Sequence, residues 1–224
     1  MQPFATEEEA ENAVVHLPSS WSPHMNHIVG DSRRDEWKKY LRPFLLCSHV
    51  VVCPPWESYI PKPKETVIQL EPGRAFGTGL HESTQLAAAA LLIHRSSFYS
   101  KETLDVGCGS GISGLTALAL VASYAHGTDT DPDSVATAQE NAERNGWHSK
   151  TKWMLADSNM ELGLYDTVVA NIEQLTLIEL GLFLIRHLAP HGILILSGLL
   201  VLQAPSLIET YNSLLLLDTT IQGE

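Results

Sequence analysis

At 224 residues the chain has room for one sizeable domain with an appendage, and a hydrophobic fraction of 44% is ordinary for a globular protein. With 26 Asp and Glu against 14 Lys and Arg the net charge is -12. That argues against a partner held by phosphate contacts, which needs a basic face, and so against direct nucleic acid binding, while it suits a cationic ligand or a basic protein substrate. Three cysteines (Cys47, Cys53, Cys108) without framework spacing point to reduced thiols. No basic region followed by an apolar run opens the chain, and the longest apolar run, Gly192 to Leu202, is shorter than the roughly 20 residues that span a bilayer. A soluble, cytoplasmic protein without a membrane partner is expected; oligomeric state is left open.

Residues 1–30 have weak periodicity and a patch reading "HLPSSWSPHMNH", expected to be poorly ordered or a remnant of something longer. His24 and His27 have the spacing of a metal pair, but no second pair completes a site, so no metal is expected. Residues 31–69 read as a linker region. "DSRRDEWKKYLRPF" is a capped helix ending near Pro43, "SHVVVCPPW" a strand stopped by Pro54 and Pro55, and Thr66 to Leu70 a second strand. Next comes "LEPGRAFGTGLHEST", with Gly73, Gly77 and Gly79 ahead of His81, Ser83 and Thr84, and then the helix "TQLAAAALLIHR".

Beyond Lys101 the chain alternates. "TLDVG", "AHGTDT", "TKWMLAD", "YDTVVANI" and "GILILSG" read as strands; "SGLTALALVASY", "DSVATAQENAERNG", "LTLIELGLFLIRHLAP" and "APSLIETYNSLL" as helices; "LLLDTTI" as a last strand. Gly146 is placed to terminate the second of these helices and Pro190 the third. Residues 70–224 are therefore expected to form an α/β domain, a doubly wound, mostly parallel sheet with helices on both faces. There is no internal repeat.

"DVGCGSGISG", Asp105 to Gly114, follows the first strand of this series and opens a helix, where ligands bind in open sheets. Gly109, Gly111 and Gly114 spell GxGxxG, which by itself is weak evidence for a dinucleotide; Asp105, Gly107, Gly109 and Gly111 spell DxGxGxG, characteristic of cores that bind S-adenosylmethionine. A pyrophosphate wants bare amides and no carboxylate nearby, whereas the methionine ammonium tolerates Asp105. Gly107 and Gly109 let the backbone approach a ligand. Asp129, 22 residues beyond Gly107, can accept both ribose hydroxyls, while Asp131 before Pro132 caps the next helix. Asp157 approaches the adenine amino group or serves a turn. Asn171, ending the fourth strand, contacts donor or acceptor, or forms an asparagine turn.

"LEPGRAFGTGLHEST", "LDVGCGSGISGLTAL", "GTDTDPDSVATAQENAERNG", "YDTVVANI" and "GILILSGLL" together resemble the ribosomal protein L11 methyltransferase family, whose pattern reads approximately DPGLAFGTGTHPTT, DVGCGSGILAIAA, DIDPxAxxxxxxNAxxNG, VVANI and GGxLxLSGI in that order. The resemblance runs from about Asp31 to the C-terminus and implies a Rossmann-like class I fold that takes its methyl group from S-adenosylmethionine. It implies that the glycine-rich stretch ahead of the core folds over the methionine end of the donor as a lid. Phe76, Thr78 and Thr84 would then line the cofactor pocket, with Gly107, Asp129 and Asn171. It implies amino groups of a protein, possibly a ribosomal protein, as acceptors. Only about seventy residues precede the loop, so the family's N-terminal recognition domain is expected to be missing or reduced, and the final strand of the sheet to be absent. Leu80, Glu82 and Glu173 depart from the family pattern.

An amine acceptor must lose a proton before attack, because an unperturbed lysine titrates near pH ~10.4. Asn171 is the candidate catalytic residue that orients the neutral amine; Glu173 is either a base or a solvated residue stabilised at a helix start. No Asn-Pro-Pro-aromatic motif marks an amide acceptor, and Cys108 reads as a small loop residue rather than a nucleophile. A methyltransferase of another protein or of a small molecule, a donor-binding homologue without turnover, and a nicotinamide oxidoreductase built on the GxGxxG reading are the alternatives.

Overall fold

The computed structural model describes residues 41–71, 77–157, 160 and 162–222. The expected helix before Pro43, the His24–His27 pair, Gly73 and Phe76 lie outside them. Arg42 to Glu224 form one compact unit.

Three short strands come first: β1 (Phe44–Cys47), β2 (Val50–Cys53) and β3 (Thr66–Gln69). β2 pairs antiparallel with β1 and parallel with β3. β2 and β3 fall in the two stretches expected as strands, and the small sheet has its own apolar face: Leu46, Val50, Val52, Ile68 and Leu70 pack against Ala88, Ile112 and Leu115 of the helices that follow. β1 was not legible beforehand, since "FLLC" is too short to show alternation.

The larger sheet consists of β4 (Glu102–Val106), β5 (Tyr124–Asp129), β6 (Thr151–Leu155), β7 (Tyr165–Asn171) and β8 (Leu188–Ser197). Its order is β6-β5-β4-β7-β8, all parallel, as expected for a doubly wound sheet. The strand order reverses between β4 and β7, and that is where a crevice opens above the strand ends. Register aligns Val106 with Thr128 and with Ala170, and Ala170 with Leu196. The residues just beyond this line are Gly107, Asp129, Asn171 and Ser197, so four strands deliver their next residues to one edge.

Helices α1 (Glu82–Ile93), α2 (Ile112–Leu120) and α3 (Pro132–Arg144) cover one face. The other carries α4 (Gln174–Glu179), α5 (Gly181–Arg186) and α6 (Ala204–Thr210). β7 shows the two-sided burial directly: Val169 joins Ala87, Leu91 and Ala117 on the first face, while Val168 and Ala170 join Leu177, Leu184 and Leu207 on the second. α3 is bounded as its sequence suggests, with the Asp131 carboxylate accepting the Asp133 N–H at 3.0 Å and Gly146 beyond the last turn at φ 68°.

Two expectations are corrected. The helix "LTLIELGLFLIRHLAP" is broken into α4 and α5 at Leu180, and Pro190 lies within β8 rather than ending a helix. Pro190 is tolerated because the pairing jumps from Tyr165–Leu188 to Thr167–Ile193, leaving residues 189–192 as a bulge that needs no ladder donor. The strand expected in "LLLDTTI" is absent: residues 215–222 form neither helix nor strand, and Leu215 is 82% exposed. An apolar run without a paired partner cannot satisfy its backbone as a strand.

One glycine is required by close approach. A Cβ on Gly127 in β5 would lie 2.1 and 2.2 Å from ring atoms of Trp153 in β6. The indole extends across that position to reach Gly111 and Gly114, each of whose Cβ atoms would sit 3.0 Å from Cη2 of Trp153. Gly127→Ala is therefore expected to destabilise the protein by about 1–3 kcal/mol in urea unfolding. In a Trp153→Leu background the same substitution should cost much less, because the clashing ring is gone; an undiminished cost would place the strain elsewhere.

Candidate active site

A cleft of about 1150 Å³ opens where the strand order reverses. Its walls include Gly107 and Gly109, Asp129, Asn171, Ile172 and Glu173, with Gly77, His81 and Ser83 on the side of α1.

The turn after β4 is shaped by its neighbours. The Thr128 carbonyl accepts the Gly107 N–H at 2.8 Å and the Cys108 N–H at 3.0 Å. Gly107 adopts φ 70°, and a Cβ there would lie 2.4 Å from Cγ2 of Ile172. The Gly109 N–H donates to Oδ2 of Asp129 at 2.9 Å, and the Asp131 N–H donates to its Oδ1 at 3.0 Å. Asp129 thereby stands on the wall with both oxygens oriented and with acceptor capacity left toward the cleft.

Asn171 and Thr84 meet as a pair. Nδ2 of Asn171 donates to Oγ1 of Thr84 at 3.2 Å, while Oδ1 of Asn171 is buried without a partner. Ser197 completes the tie between α1 and the strand ends, its hydroxyl donating to the Ser83 carbonyl at 2.7 Å. The N-cap of α1 is His81, whose Nδ1 accepts the Ser83 N–H at 3.2 Å, so neither Ser83 nor Thr84 caps that helix.

Gly107, Gly109, Asp129 and Asn171 are brought together on the wall. Three other expected site residues are set back from it. Asp105 is 1% exposed, and its Oδ2 accepts the Gly114 N–H at 2.9 Å beneath the first turn of α2. Thr84 is 2% exposed behind Asn171, and Oγ1 of Thr78 accepts the Leu80 N–H at 3.3 Å within its own turn. Asp105 and Thr84 thus support the wall rather than form it, and Thr78 is not among its lining residues. Asp157 lines the cleft on the far side of Asp129. Residues on the wall that the sequence did not single out include Ile172, Met160, Leu162, Thr176 and Phe183. Of these only Ile172 carried a signal, as the last residue of "VVANI".

Burial dominates the acid–base behaviour of the turn. It pushes the Asp105 carboxyl up to about 7, against the stabilising Gly114 N–H and with a smaller push from Asp129. Burial, then the carboxylates of Asp105 and Asp129, drives the Cys108 thiol far above its ordinary value. This environment favours the protonated thiol of Cys108. Among the described residues no cluster of His, Cys, Asp and Glu could hold a metal, and no helix is long and apolar enough to cross a membrane.

A parallel sheet in this order, a glycine turn at its reversal and an acidic residue ending the adjacent strand define a Rossmann-like fold of the class I methyltransferase type. The model for the ribosomal protein L11 methyltransferase family matches residues 5–224, and the chain belongs to that family. A ribosomal protein L11 methyltransferase of Sorangium cellulosum is 41% identical over 215 residues, 94% of this chain and 68% of that protein. One of Geobacter metallireducens is 39% identical over 191 residues, covering 84% of this chain and 62% of that one. The chain thus spans about two thirds of the length of these relatives. A crystal structure of ribosomal protein L11 methylase from Lactobacillus delbrueckii subsp. bulgaricus superposes with a TM-score of 0.68 at 34% identity, over 77% of this chain and 88% of that one.

The shifted carboxyl makes a signed prediction. Asp105 titrates near pH 4 when unfolded and near 7 when folded, so its contribution is most favourable below pH 4 and is lost as pH rises toward 7. Asp105→Asn keeps an acceptor for Gly114 and removes this dependence. The stability of the variant relative to wild type, read from urea unfolding, should grow between pH 4 and pH 7 and level off above; a flat difference would mean that Asp105 is ionised throughout.

Proposed function

We propose that the protein is an S-adenosylmethionine-dependent methyltransferase that acts on protein amino groups, lysine side chains or an N-terminal amine, with a ribosomal protein as substrate and the cytoplasm as its place of action. The observation that carries this reading is the wall itself: a half-buried Asp129 beside the Gly107–Gly109 turn and, on the same wall, an Asn171 whose buried Oδ1 has no partner. A ligand with vicinal hydroxyls at one end and N–H groups at the other suits these acceptors. A pyrophosphate does not, since Asp129, Asp131 and Asp157 bring negative charge to the cleft beside the turn. Family membership supports the same reading.

Asp129 would hold the ribose hydroxyls, and the methionine portion would lie along the Gly107–Gly109 turn. Asp105 and Thr84 would act from behind, one bracing the helix start and the other fixing the Asn171 amide. When bound, the donor supplies an electrophilic methyl group on a sulfonium. Everything the protein must then do is positional. Oδ1 of Asn171 accepts an N–H from the acceptor amine and points its lone pair toward the methyl. The amine arrives neutral, its extra proton lost to water or to Glu173, which lies on the same wall with Oε1 accepting the Thr176 hydroxyl at 3.3 Å. The acidic rim suits a basic protein chain.

Three outcomes are expected. Calorimetry should detect binding of S-adenosylhomocysteine and none of NAD; the reverse pattern would replace this reading with an oxidoreductase. Asp129→Ala should weaken that binding by about 1–3 kcal/mol, the cost of unpaired polar groups, without unfolding the protein. Labelled methyl from S-adenosylmethionine should appear in a ribosomal protein on amino groups, and Asn171→Ala should lower kcat by about 10²-fold or more at saturating donor. Labelling confined to other proteins would move the acceptor while leaving the donor assignment intact.

A further inference from the structure

Asn141 of α3 and Asn145, the C-cap of that helix, serve the open edge of β3 as a neighbouring strand would. Gln69 and Glu71 are two residues apart, so their backbone groups point to the same side, away from β2, which receives the Leu70 N–H on its Cys53 carbonyl at 3.1 Å. Oδ1 of Asn145 accepts the Gln69 N–H at 2.8 Å, and its Nδ2 donates to the Gln69 carbonyl at 2.8 Å. Oδ1 of Asn141 accepts the Glu71 N–H at 2.9 Å, and its Nδ2 donates to the Glu71 carbonyl at 2.9 Å. Four helical residues rise about 6 Å and two strand residues about 6.6 Å, so the two amides match the strand's repeat.

The asparagines differ in their remaining proton. Nδ2 of Asn145 donates to the Asn141 carbonyl at 2.7 Å, inside its own helix. Nδ2 of Asn141 donates to the Ser110 carbonyl at 3.0 Å, in the middle of the glycine turn. Ser110 passes the contact on, its hydroxyl donating to the Gly77 carbonyl at 2.6 Å, while the adjacent Gly109 N–H is held by Asp129. Asn141 is completely buried. Only a primary amide offers one acceptor and two donors to these three backbone groups; a carboxylate would turn lone pairs toward two carbonyls.

We propose that Asn141 is a positioning residue for donor binding: it locks the Gly109–Ser110–Gly111 backbone, and through Ser110 the Gly77 carbonyl, in place relative to Asp129. It touches neither donor nor acceptor, and the inference rests on the donor reading above. Asn145 anchors the same strand without reaching the turn, which makes it the internal control. In calorimetry with S-adenosylhomocysteine, Asn145→Ala should change the dissociation constant by less than about 2-fold despite losing stability, whereas Asn141→Ala should raise it on the order of 10-fold or more. The donor KM should rise with it while kcat at saturating donor stays constant. The losses from Asn141→Ala and Asp129→Ala should be smaller together than their product, because both act on one turn, whereas those of Asn145→Ala and Asp129→Ala should multiply. If Asn141→Ala does not fold, Asn141→Asp, which keeps the Glu71 N–H bond and loses both donors, carries the test. Equal losses for the two asparagines in a protein that binds normally when unmutated would overturn this inference alone. No binding by the unmutated protein would overturn the donor reading and this inference with it.

Discussion

The turn from Gly107 to Gly111 has three glycines among five residues and almost no side chain with which to hold a shape, so its shape is imposed from outside. The Thr128 carbonyl and the Asp129 carboxylate of β5 take its amides, Asn141 of α3 takes the Ser110 carbonyl, and the Trp153 indole of β6 underlies Gly111 and Gly114. Ile172, beyond β7, closes the space over Gly107. Each support comes from a different element, so the turn acquires its form only when the sheet is assembled. Gly107 and Gly109 remain on the cleft wall without side chains of their own.

The same supports explain the electrostatics. Asp105 sits in the core to brace the start of α2, and burial rather than a functional partner raises its pKa. The cleft is thus served by two carboxylates with different surroundings. Asp129 is hydrogen-bonded and open to the cleft, whereas Asp105 is enclosed. Their separation in environment is what lets one be a ligand-facing acceptor while the other is part of the frame.

Departures from the family pattern fall where the structure can absorb them. Glu82 opens α1, where a carboxylate meets the positive end of the helix, next to a cap already supplied by His81. Leu80 is 50% exposed ahead of that cap. Glu173 precedes α4 on the cleft wall, and it alone of the three adds a titratable group beside Asn171.

Much of this protein was legible in its sequence. Alternation of apolar strands with amphipathic helices marks a doubly wound parallel sheet, and such strands are buried on both faces whatever their neighbours, so their pattern is local. Gly107, Gly109, Asp129 and Asn171 end their strands or follow them, and parallel register carries strand ends to one edge, so their meeting could be read from order alone. Depth could not. Asp105 and Thr84 lie near the site in space but behind its wall, because burial is decided by what packs on top, and for Asp105 that is the first turn of α2. The bulge that admits Pro190 depends on a partner strand, and the unpaired run after Leu214 depends on the lack of one. The asparagine ladder of α3 was visible only as part of a motif. Its role comes from the coincidence of a helical turn with a strand repeat, a match between distant segments that tertiary structure alone can create.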